Sequence, residues 1–148
     1  MLIRDIMTSN VITIPSTTSL ANARRILSTH QIKHLPVVDK EKLIGIVTKN
    51  DLDKAGPSEL TTFSKQELNY LLNRLTVKEV MNRDLATISP DAHVEEALIL
   101  AQVSKSRSFL VKENNRLVGI VTTNDFFYNV LTPILGISGP AVTVSVNE

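Results

Sequence analysis

The sequence reads GIVTKND over residues 45–51 and GIVTTND over residues 119–125. The two runs lie 74 residues apart, which is half of the 148-residue chain. Ile, Val and Thr favour β-strands. A Thr followed three residues later by an acid is typical of a helix start, where the two side chains cap the first turn. Each run therefore predicts a strand that leads directly into a helix.

The repetition extends well beyond these two runs. Residues 3–52 align with residues 77–126 without a gap, and the identical pairs include Met7/Met81, Thr13/Thr87, Val37/Val111 and Leu43/Leu117. An internal repeat has to be recognised before a fold is assigned. Each half alone would bury only a marginal core, so we expect the halves to pack on each other. The predicted fold class is α/β in the α+β sense, with two β-α-β-β-α repeats packed as a pseudo-twofold pair.

Apolar periodicity and turn residues place the elements of each copy. In the first copy we expect a helical turn at Arg4–Met7, a strand at Val11–Ile14, a helix from about Thr18, strands at 35–38 and 43–48, and a helix from Thr48. In the second copy the corresponding helical turn is Lys78–Met81, and Thr76 and Glu79 are expected to cap it. A strand is expected at Leu85–Ile88, and helices are expected to begin near Asp91 and Thr122.

Breaks in the pattern divide the chain into four parts. The predicted boundaries are a first repeat at 1–56, a linker with an amphipathic helix at 57–75, a second repeat at 76–132 and a tail at 133–148. The linker helix follows a capping box at Ser64 and carries a leucine stripe, which either covers the protein's own core or pairs with a second subunit. Its members are Leu68, Leu71, Leu72 and Leu75. In the tail, Val142, Val144 and Val146 alternate like one face of a strand.

Composition excludes several classes of protein. Cysteine is absent, so disulfides, thiolate chemistry and Cys-based zinc sites are excluded. The net charge is +1 and aromatic residues make up 4%, which argues against nucleic-acid binding. No apolar run approaches the roughly 20 residues of a membrane span, and the start lacks a signal-peptide layout. We therefore expect a cytoplasmic protein without membrane or nucleic-acid partners, and no motif indicates an enzyme.

The strand-to-helix junction suggests a binding chemistry. The first N–H groups of a helix have no partner within the helix and attract phosphate. The carboxylate of Asp51 or Asp125 accepts hydrogen bonds and suits the two hydroxyls of a ribose. The competing interpretation is that T-x-x-D is only a helix cap, and the duplication at a fixed spacing favours the binding interpretation.

A tandem β-α-β-β-α unit in which each copy closes on G-I-V-T-x-x-D resembles a pair of CBS domains, the Bateman module. The linker over residues 57–72 is similar to that of the bacterial acetoin-utilisation CBS proteins, the AcuB type. The tail either pairs within the module or is the start of a further domain, and the resemblance implies that such a domain is ACT-like. The resemblance also implies an adenosine nucleotide (AMP, ADP or ATP) or a related adenosyl compound bound in clefts between the repeats.

The resemblance carries binding roles onto particular residues of each copy. Asp51 and Asp125 would hold ribose hydroxyls, and Thr48 and Thr122 would lie at ribose or phosphate. The rest of the first site would be Val11, Ile12, Thr13, Lys33, His34, Leu35 and Pro36. The rest of the second would be Leu85, Thr87, Arg107 and Phe109.

The second copy departs from the pattern of the first. Ser108, Leu110 and Lys112 stand where the first copy has His34, Pro36 and Val38, so occupancy of the second site is the weaker expectation. Lys33 and Arg107 occupy equivalent positions and either meet phosphate or are ordinary surface cations. His30 and His34 do not share a helical face, so no metal site is expected.

The predicted function is that of a regulatory, adenosine-nucleotide-sensing module that forms a homodimer and acts on a regulated protein or a further domain. The alternative is a structural dimerisation module without a physiological ligand.

Overall fold

The computed structural model describes residues 1–54 and 64–136 and contains two compact units. The repeat-1 unit comprises residues 12–54 and 64–84, and the repeat-2 unit comprises residues 1–11 and 85–136. The opening segment Met1–Val11 thus belongs to the unit of the second copy, and residues 77–84 belong to the unit of the first.

Helices and strands follow each other along the chain in nearly the predicted order. The first half contains α1 (Ile3–Ile6), α2 (Leu20–His30), β1 (His34–Asp39), β2 (Lys42–Thr48), α3 (Lys49–Lys54) and α4 (Lys65–Arg74). The second half contains a 3-10 turn (Val77–Glu79), β3 (Thr87–Ile88), α5 (Val94–Ser104), β4 (Ser108–Glu113), β5 (Arg116–Thr122), α6 (Thr123–Phe126), a π-helical turn (Phe127–Leu131) and α7 (Thr132–Ile134).

In the repeat-1 unit, β1 and β2 form an antiparallel hairpin. Ile14 extends this sheet through a parallel bridge to Val37, and Asn82 extends its other edge through an antiparallel bridge to Ile46. The predicted strand Val11–Ile14 is therefore reduced to one bridging residue, because only Ile14 exchanges backbone hydrogen bonds with β1.

The repeat-2 unit repeats this topology with a fuller ladder. β3 pairs in parallel with β4, β4 pairs antiparallel with β5, and Thr8 bridges to Ile120 at the edge of β5. The register irregularity between Val111 and Lys112 matches the one between Val37 and Val38 in the other unit. The two copies therefore share their register as well as their element order.

Two-residue turns join the hairpin strands. Lys40 and Glu41 have φ values of 50° and 64°, and Asn114 and Asn115 have 53° and 65°. Positive φ at both central residues fits the right-handed twist of the flanking strands and is common for Asn. The first copy adopts the same turn with Lys and Glu, which tolerate it less readily.

Each unit has its own hydrophobic core. In the repeat-1 unit, the buried face of α2 packs with β1 and β2, and Leu35, Val37 and Val47 are fully buried. The core of the repeat-2 unit contains Ile3 and Ile6 of α1, Val94 and Ala97 of α5, and three residues of β4 and β5, namely Phe109, Val111 and Val121. Burial of the α1 residues explains why the opening segment belongs to this unit.

The leucine stripe of the linker helix faces inward. Leu72 is buried in the core of the repeat-1 unit, and Leu68 and Leu75 pack against that core. Ser64 caps the helix as predicted, since its Oγ accepts a hydrogen bond from the Glu67 amide at 3.1 Å. Three of the four leucines of the stripe therefore pack in or against the protein's own core, whereas Leu71 is half-buried and is not part of that cluster.

Local details differ from the sequence prediction. Thr76 makes no side-chain cap bond, and the segment it opens is a single 3-10 turn rather than an α-helical one. α2 starts after Ser19, whose Oγ accepts from Asn22, and α5 starts after His93, which is exposed. The linker residues 57–63 and the tail valines Val142, Val144 and Val146 lie outside the described residues.

Candidate functional site

In the repeat-1 unit, strand pairing brings the two parts of the predicted site together. His34 opens β1 and Thr48 closes β2, and the two residues are partners across the ladder. The amide of Lys49 donates to the carbonyl of Lys33 at 3.0 Å, which ties the start of α3 to the chain before β1. The predicted residues Lys33, His34, Thr48 and Asp51 therefore lie at one end of one hairpin.

Asp51 and Thr48 form a reciprocal helix cap. The Thr48 amide donates to Oδ2 of Asp51 at 2.9 Å, and the Asp51 amide donates to Oγ1 of Thr48 at 3.1 Å. Among the described residues, no group donates to Oδ1 of Asp51, and this side chain is half-buried. The carboxylate thus caps α3 with one oxygen and has the other available as an acceptor.

His34 is half-buried beside charged groups. Burial is the main reason that the pKa of His34 is lowered, the positive charge of Lys33 lowers it further, and the Asp51 carboxylate opposes both effects. A neutral imidazole results in the folded protein at neutral pH. An anion placed beside Lys33 would favour the protonated form instead.

The remaining first-site residues divide into exposed and buried groups. Val11 and Ile12 are half-buried and Thr13 is exposed. Leu35 and Pro36 are fully buried, and Leu35 belongs to the core. A ligand could reach only the backbone of Leu35 without displacing core packing. The Pro36 carbonyl already accepts from the Ile14 amide at 3.1 Å.

The repeat-2 unit places its predicted residues in the same way. Ser108 and Thr122 are partners across the ladder, and the Thr123 amide donates to the carbonyl of Arg107 at 3.1 Å. The Thr122 amide donates to Oδ2 of Asp125 at 2.8 Å. Arg107 and Thr87 are exposed, Leu85 is half-buried, and Phe109 is buried in the core.

Asp125 differs from Asp51 in one contact that the sequence did not reveal. The hydroxyl of Thr8 donates to Oδ1 of Asp125 at 3.1 Å. The position equivalent to Thr8 in the other copy is Asn82, whose side-chain oxygen accepts from the Asp84 amide at 2.9 Å. Both oxygens of Asp125 are thus engaged within the protein, whereas one oxygen of Asp51 is not. In the sequence, the only feature that pointed to Thr8 was its position directly after Met7, which recurs in the second copy as Met81.

The structure shows no helix of membrane-spanning length and apolarity within the residues it describes. Across 1–54 and 64–136, His, Asp and Glu residues form no cluster of three or more suited to a metal ion.

The sequence pattern of the CBS domain matches residues 3–58 and 77–131. This chain belongs to the CBS-domain family. The two matches cover both copies of the repeat, which confirms the predicted tandem arrangement.

Solved structures agree with this assignment and with the predicted fold class. A protein of Vibrio cholerae described as an acetoin utilization protein (AcuB) is 30% identical, with a TM-score of 0.74 over 91% of this chain and 93% of that one. The CBS domain pair of protein MJ0100, solved in complex with 5'-methylthioadenosine and S-adenosyl-L-methionine, is 31% identical, with a TM-score of 0.69 over 92% of this chain and 96% of that one.

Curated relatives are longer proteins. The L-aspartate semialdehyde sulfurtransferase of Methanocaldococcus jannaschii is 34% identical over 84% of this chain, and inosine-5'-monophosphate dehydrogenase of Korarchaeum cryptofilum is 33% identical over 84%. The matched regions cover only 22% and 23% of these two relatives. This chain therefore corresponds to one part of each.

Proposed function

We propose that this chain is a regulatory module that binds an adenosine nucleotide or a related adenosyl compound. The observation that supports this most directly is the pairing of His34 with Thr48. This pairing sets a cation and an imidazole beside a helix start and a carboxylate with a free oxygen. The MJ0100 structure, which contains two adenosyl compounds, supports the class of ligand.

Each part of the first site has a role that its chemistry suits. Oδ1 of Asp51 accepts from a ribose hydroxyl while Oδ2 continues to cap α3. Lys33 and His34 meet phosphate, since a cation and a protonatable imidazole both donate hydrogen bonds to an anion. Ile12 and Thr13 contact the base. These roles favour AMP, ADP or ATP over adenosyl compounds without phosphate.

The second site is the weaker one in this proposal. Oδ1 of Asp125 already accepts from the Thr8 hydroxyl, so a ribose hydroxyl would have to compete with that bond. Ser108 also replaces His34 and offers no positive charge. Arg107 retains a cation for phosphate. We therefore expect the first site to fill at lower ligand concentration than the second.

Regulation would follow from preferential binding. A ligand that binds one conformation more tightly shifts the population toward it, and a partner that recognises that conformation responds. The partner would be a separate protein or a further domain, since curated relatives carry this region within much longer chains. We expect the chain to act in the cytoplasm, without a membrane or nucleic-acid partner.

Isothermal titration of the purified chain with AMP, ADP, ATP, S-adenosyl-L-methionine and 5'-methylthioadenosine tests the proposal, with GMP as the control for the base. Mass spectrometry of compounds released on denaturation would identify a ligand that copurifies. Saturable binding of an adenosyl compound with weaker binding of GMP is the expected result. No binding by any of the five adenosyl compounds in protein shown to be ligand-free would favour a structural module instead.

Self-association is the second part of the proposal, and the exposed face of α5 supports it. Ile99 and Val103 expose 60% and 78% of their surface, and the adjacent side chains Leu98 and Leu100 are also exposed. Such apolar clusters on a surface commonly mark interaction sites. We expect a homodimer through this face.

Sedimentation of Val103→Lys should show a monomer under conditions in which the parent protein is dimeric. Tyr70→Ser, a change at an exposed aromatic residue of α4, is the control and should leave the dimer intact.

A further inference from the structure

A cavity of about 330 Å³ opens between α2 and α3 of the repeat-1 unit. Leu27 and Leu52, both buried, supply apolar surface. Three cations line the same cavity, Arg24, Lys33 and Lys49, against a single carboxylate, that of Asp53. The volume falls in the range of small-molecule sites, roughly 300–1,000 Å³. The lining carries an excess of two positive charges and is therefore suited to an anion.

Backbone hydrogen bonds fix the positions from which these cations extend. Nη2 of Arg24 donates to the Leu52 carbonyl at 2.8 Å, which ties the guanidinium of α2 to α3. The Lys49 amide donates to the Lys33 carbonyl at 3.0 Å, so the two lysines are held side by side. A preorganised set of cations loses less conformational entropy on binding than a set of free side chains.

Arg24 also has an unused donor. Its Nε is buried, and it donates to no acceptor among the described residues. A buried donor without an acceptor is destabilising and is uncommon in folded proteins. This atom has almost no solvent-accessible surface, so an anion in the cavity would supply the missing acceptor only after the guanidinium turns toward it. A guanidinium suits this role because its planar set of donors matches phosphate oxygens.

The second copy shows that the fold does not require this charge pattern. Leu98, Thr123 and Phe127 stand at the positions equivalent to Arg24, Lys49 and Asp53. α5, β4 and β5 nevertheless form the same elements as α2, β1 and β2. Of the three cations only Lys33 has a basic counterpart, Arg107, so the excess of two positive charges is particular to the first copy.

We propose that this cavity binds a small phosphorylated metabolite with a compact apolar portion. The phosphate lies among Arg24, Lys33 and Lys49, and the apolar portion lies against Leu27 and Leu52. Arg24 and Lys49 take no part in the proposed adenosyl site, whereas Lys33 belongs to both, so the two sites adjoin at Lys33. A phosphorylated metabolite bound here would therefore compete with a nucleotide phosphate for Lys33.

Phenyl phosphate is a suitable probe, because it combines a dianion with a compact apolar ring. The Nε–H resonance of Arg24 in a ¹H–¹⁵N spectrum reports directly on the unused donor. Titration at constant ionic strength should shift this resonance along a saturable curve, and benzyl alcohol, which lacks the charge, should not shift it.

Substitutions by the residues of the second copy supply the test variants. Arg24→Leu and Lys49→Thr, followed through backbone amides of residues 27–33, should each weaken phenyl phosphate binding by tenfold or more. Arg25→Leu is the matched control, since it removes the same charge from an exposed position of α2 where the guanidinium donates to Asn22. It should leave the affinity within about twofold. Dispersed spectra would establish that each variant is folded.

Wild-type resonances that do not move, or equal affinities in Arg24→Leu, Lys49→Thr and Arg25→Leu, would overturn the proposal. If Arg24→Leu does not fold, Lys49→Thr alone decides the outcome. Asp51→Asn separates this site from the adenosyl site: it should leave phenyl phosphate affinity unchanged, whether or not the chain binds adenosine nucleotides. A parallel loss of phenyl phosphate binding in Asp51→Asn would show that the two sites are one, and would also overturn the proposal.

Discussion

The sulfur of Met81 lies 2.6 Å from the position that a Cβ atom would take at Gly45. The same relationship recurs between Met7 and Gly119, also at 2.6 Å. These four residues are the identical pairs Met7/Met81 and Gly45/Gly119 of the sequence repeat. In each unit the methionine fills the space that the missing side chain leaves, which explains why both residue types occur in both copies.

Alanine at these glycines should destabilise the protein. Gly119→Ala should cost more than Gly45→Ala, because the nearest backbone oxygen would be 3.0 Å from the new Cβ at residue 119 and 3.2 Å away at residue 45. A methionine side chain can move away, but a strand-paired backbone cannot. Overpacking of this kind costs about 1–3 kcal/mol. Urea unfolding of both variants measures the difference.

A double-substitution cycle isolates the contact with sulfur. Met81→Ala removes the atom that the new Cβ would meet, so Gly45→Ala should cost less in that background than in the parent protein. Strictly additive free energies of unfolding would show that the methionine is not the obstacle.

The hydrogen bonds between Ser16 and Asp39 predict a dependence of stability on pH. The Ser16 hydroxyl and its amide both donate to the Asp39 carboxylate, and these two bonds, the hydroxyl first, lower the pKa of Asp39. A lowered pKa in the folded state contributes stability that is complete above the ordinary value of about 3.9 and is lost as the pH falls below it. Stability of the parent protein should therefore fall in this acidic range.

Ser16→Ala should make the free energy of unfolding depend less on pH in this acidic range. It should also lower the free energy of unfolding near neutral pH. Urea unfolding from pH 2.5 to 6 measures both effects. The second copy provides the control, since Pro90 and Glu113 occupy the positions of Ser16 and Asp39 and Pro90 has no donor. Glu113 pairs instead with Arg4 at 3.4 Å, so Glu113→Gln removes that pair and should retain the part of the acidic slope that is due to Asp39. An identical slope in Ser16→Ala and the parent protein would contradict the assignment.

The titration of His34 should report on the phosphate end of the proposed adenosyl site. Burial, followed by the charge of Lys33, lowers the pKa of His34, so protonation favours the unfolded state. Stability due to this group is complete above its ordinary pKa of about 6.5 and declines as the pH falls below it. Binding of AMP with its phosphate beside the imidazole should raise the pKa of His34.

Histidine ring resonances followed by NMR with and without AMP measure this change, and His34→Gln identifies the signal. Adenosine, which lacks phosphate, is the control and should leave the titration where it was in the free protein. If AMP and adenosine change the pKa of His34 equally, the phosphate of AMP does not lie beside this residue.

Repetition and local pattern were enough to predict the architecture, because the Thr48 and Thr122 junctions, the polar hairpin turns and the apolar face of α2 each depend on neighbouring residues. The strand at Val11–Ile14 was overestimated for the opposite reason. Its apolar and β-branched residues suit a strand, yet only Ile14 has a partner on β1, and partners are a tertiary property.

The structure brings Lys33, His34, Thr48 and Asp51 together at one end of a hairpin, but the sequence could not predict the difference between the two copies. Sequence alone gives Asp51 and Asp125 the same cap and the same expected role. The contact of Asp125 with Thr8 joins residues 117 positions apart, and no local pattern reveals it. The contact forms because the opening segment Met1–Val11 belongs to the repeat-2 unit. The order of the repeats along the chain does not indicate this.

The two aspartates should respond differently to amidation. Asp51→Asn retains one acceptor oxygen for the Thr48 amide, so loss of the cap should cost about 1 kcal/mol or less. As a ribose acceptor the carboxylate makes a charge-assisted hydrogen bond, worth roughly 1.5–3 kcal/mol, and its loss should reduce adenosine nucleotide affinity about ten- to a hundredfold.

Asp125→Asn should affect stability more than affinity. Asp125 accepts hydrogen bonds from Thr122 and Thr8, and amidation places a donor against one of them. We expect a larger loss of stability there and a smaller change in affinity. Calorimetric titration with AMP and urea unfolding on both variants separate these outcomes, with Asp84→Asn, a change at an exposed acid outside both proposed sites, as the control. Unchanged affinity in both Asp51→Asn and Asp125→Asn would mean that the repeated T-x-x-D motif serves only as a helix cap.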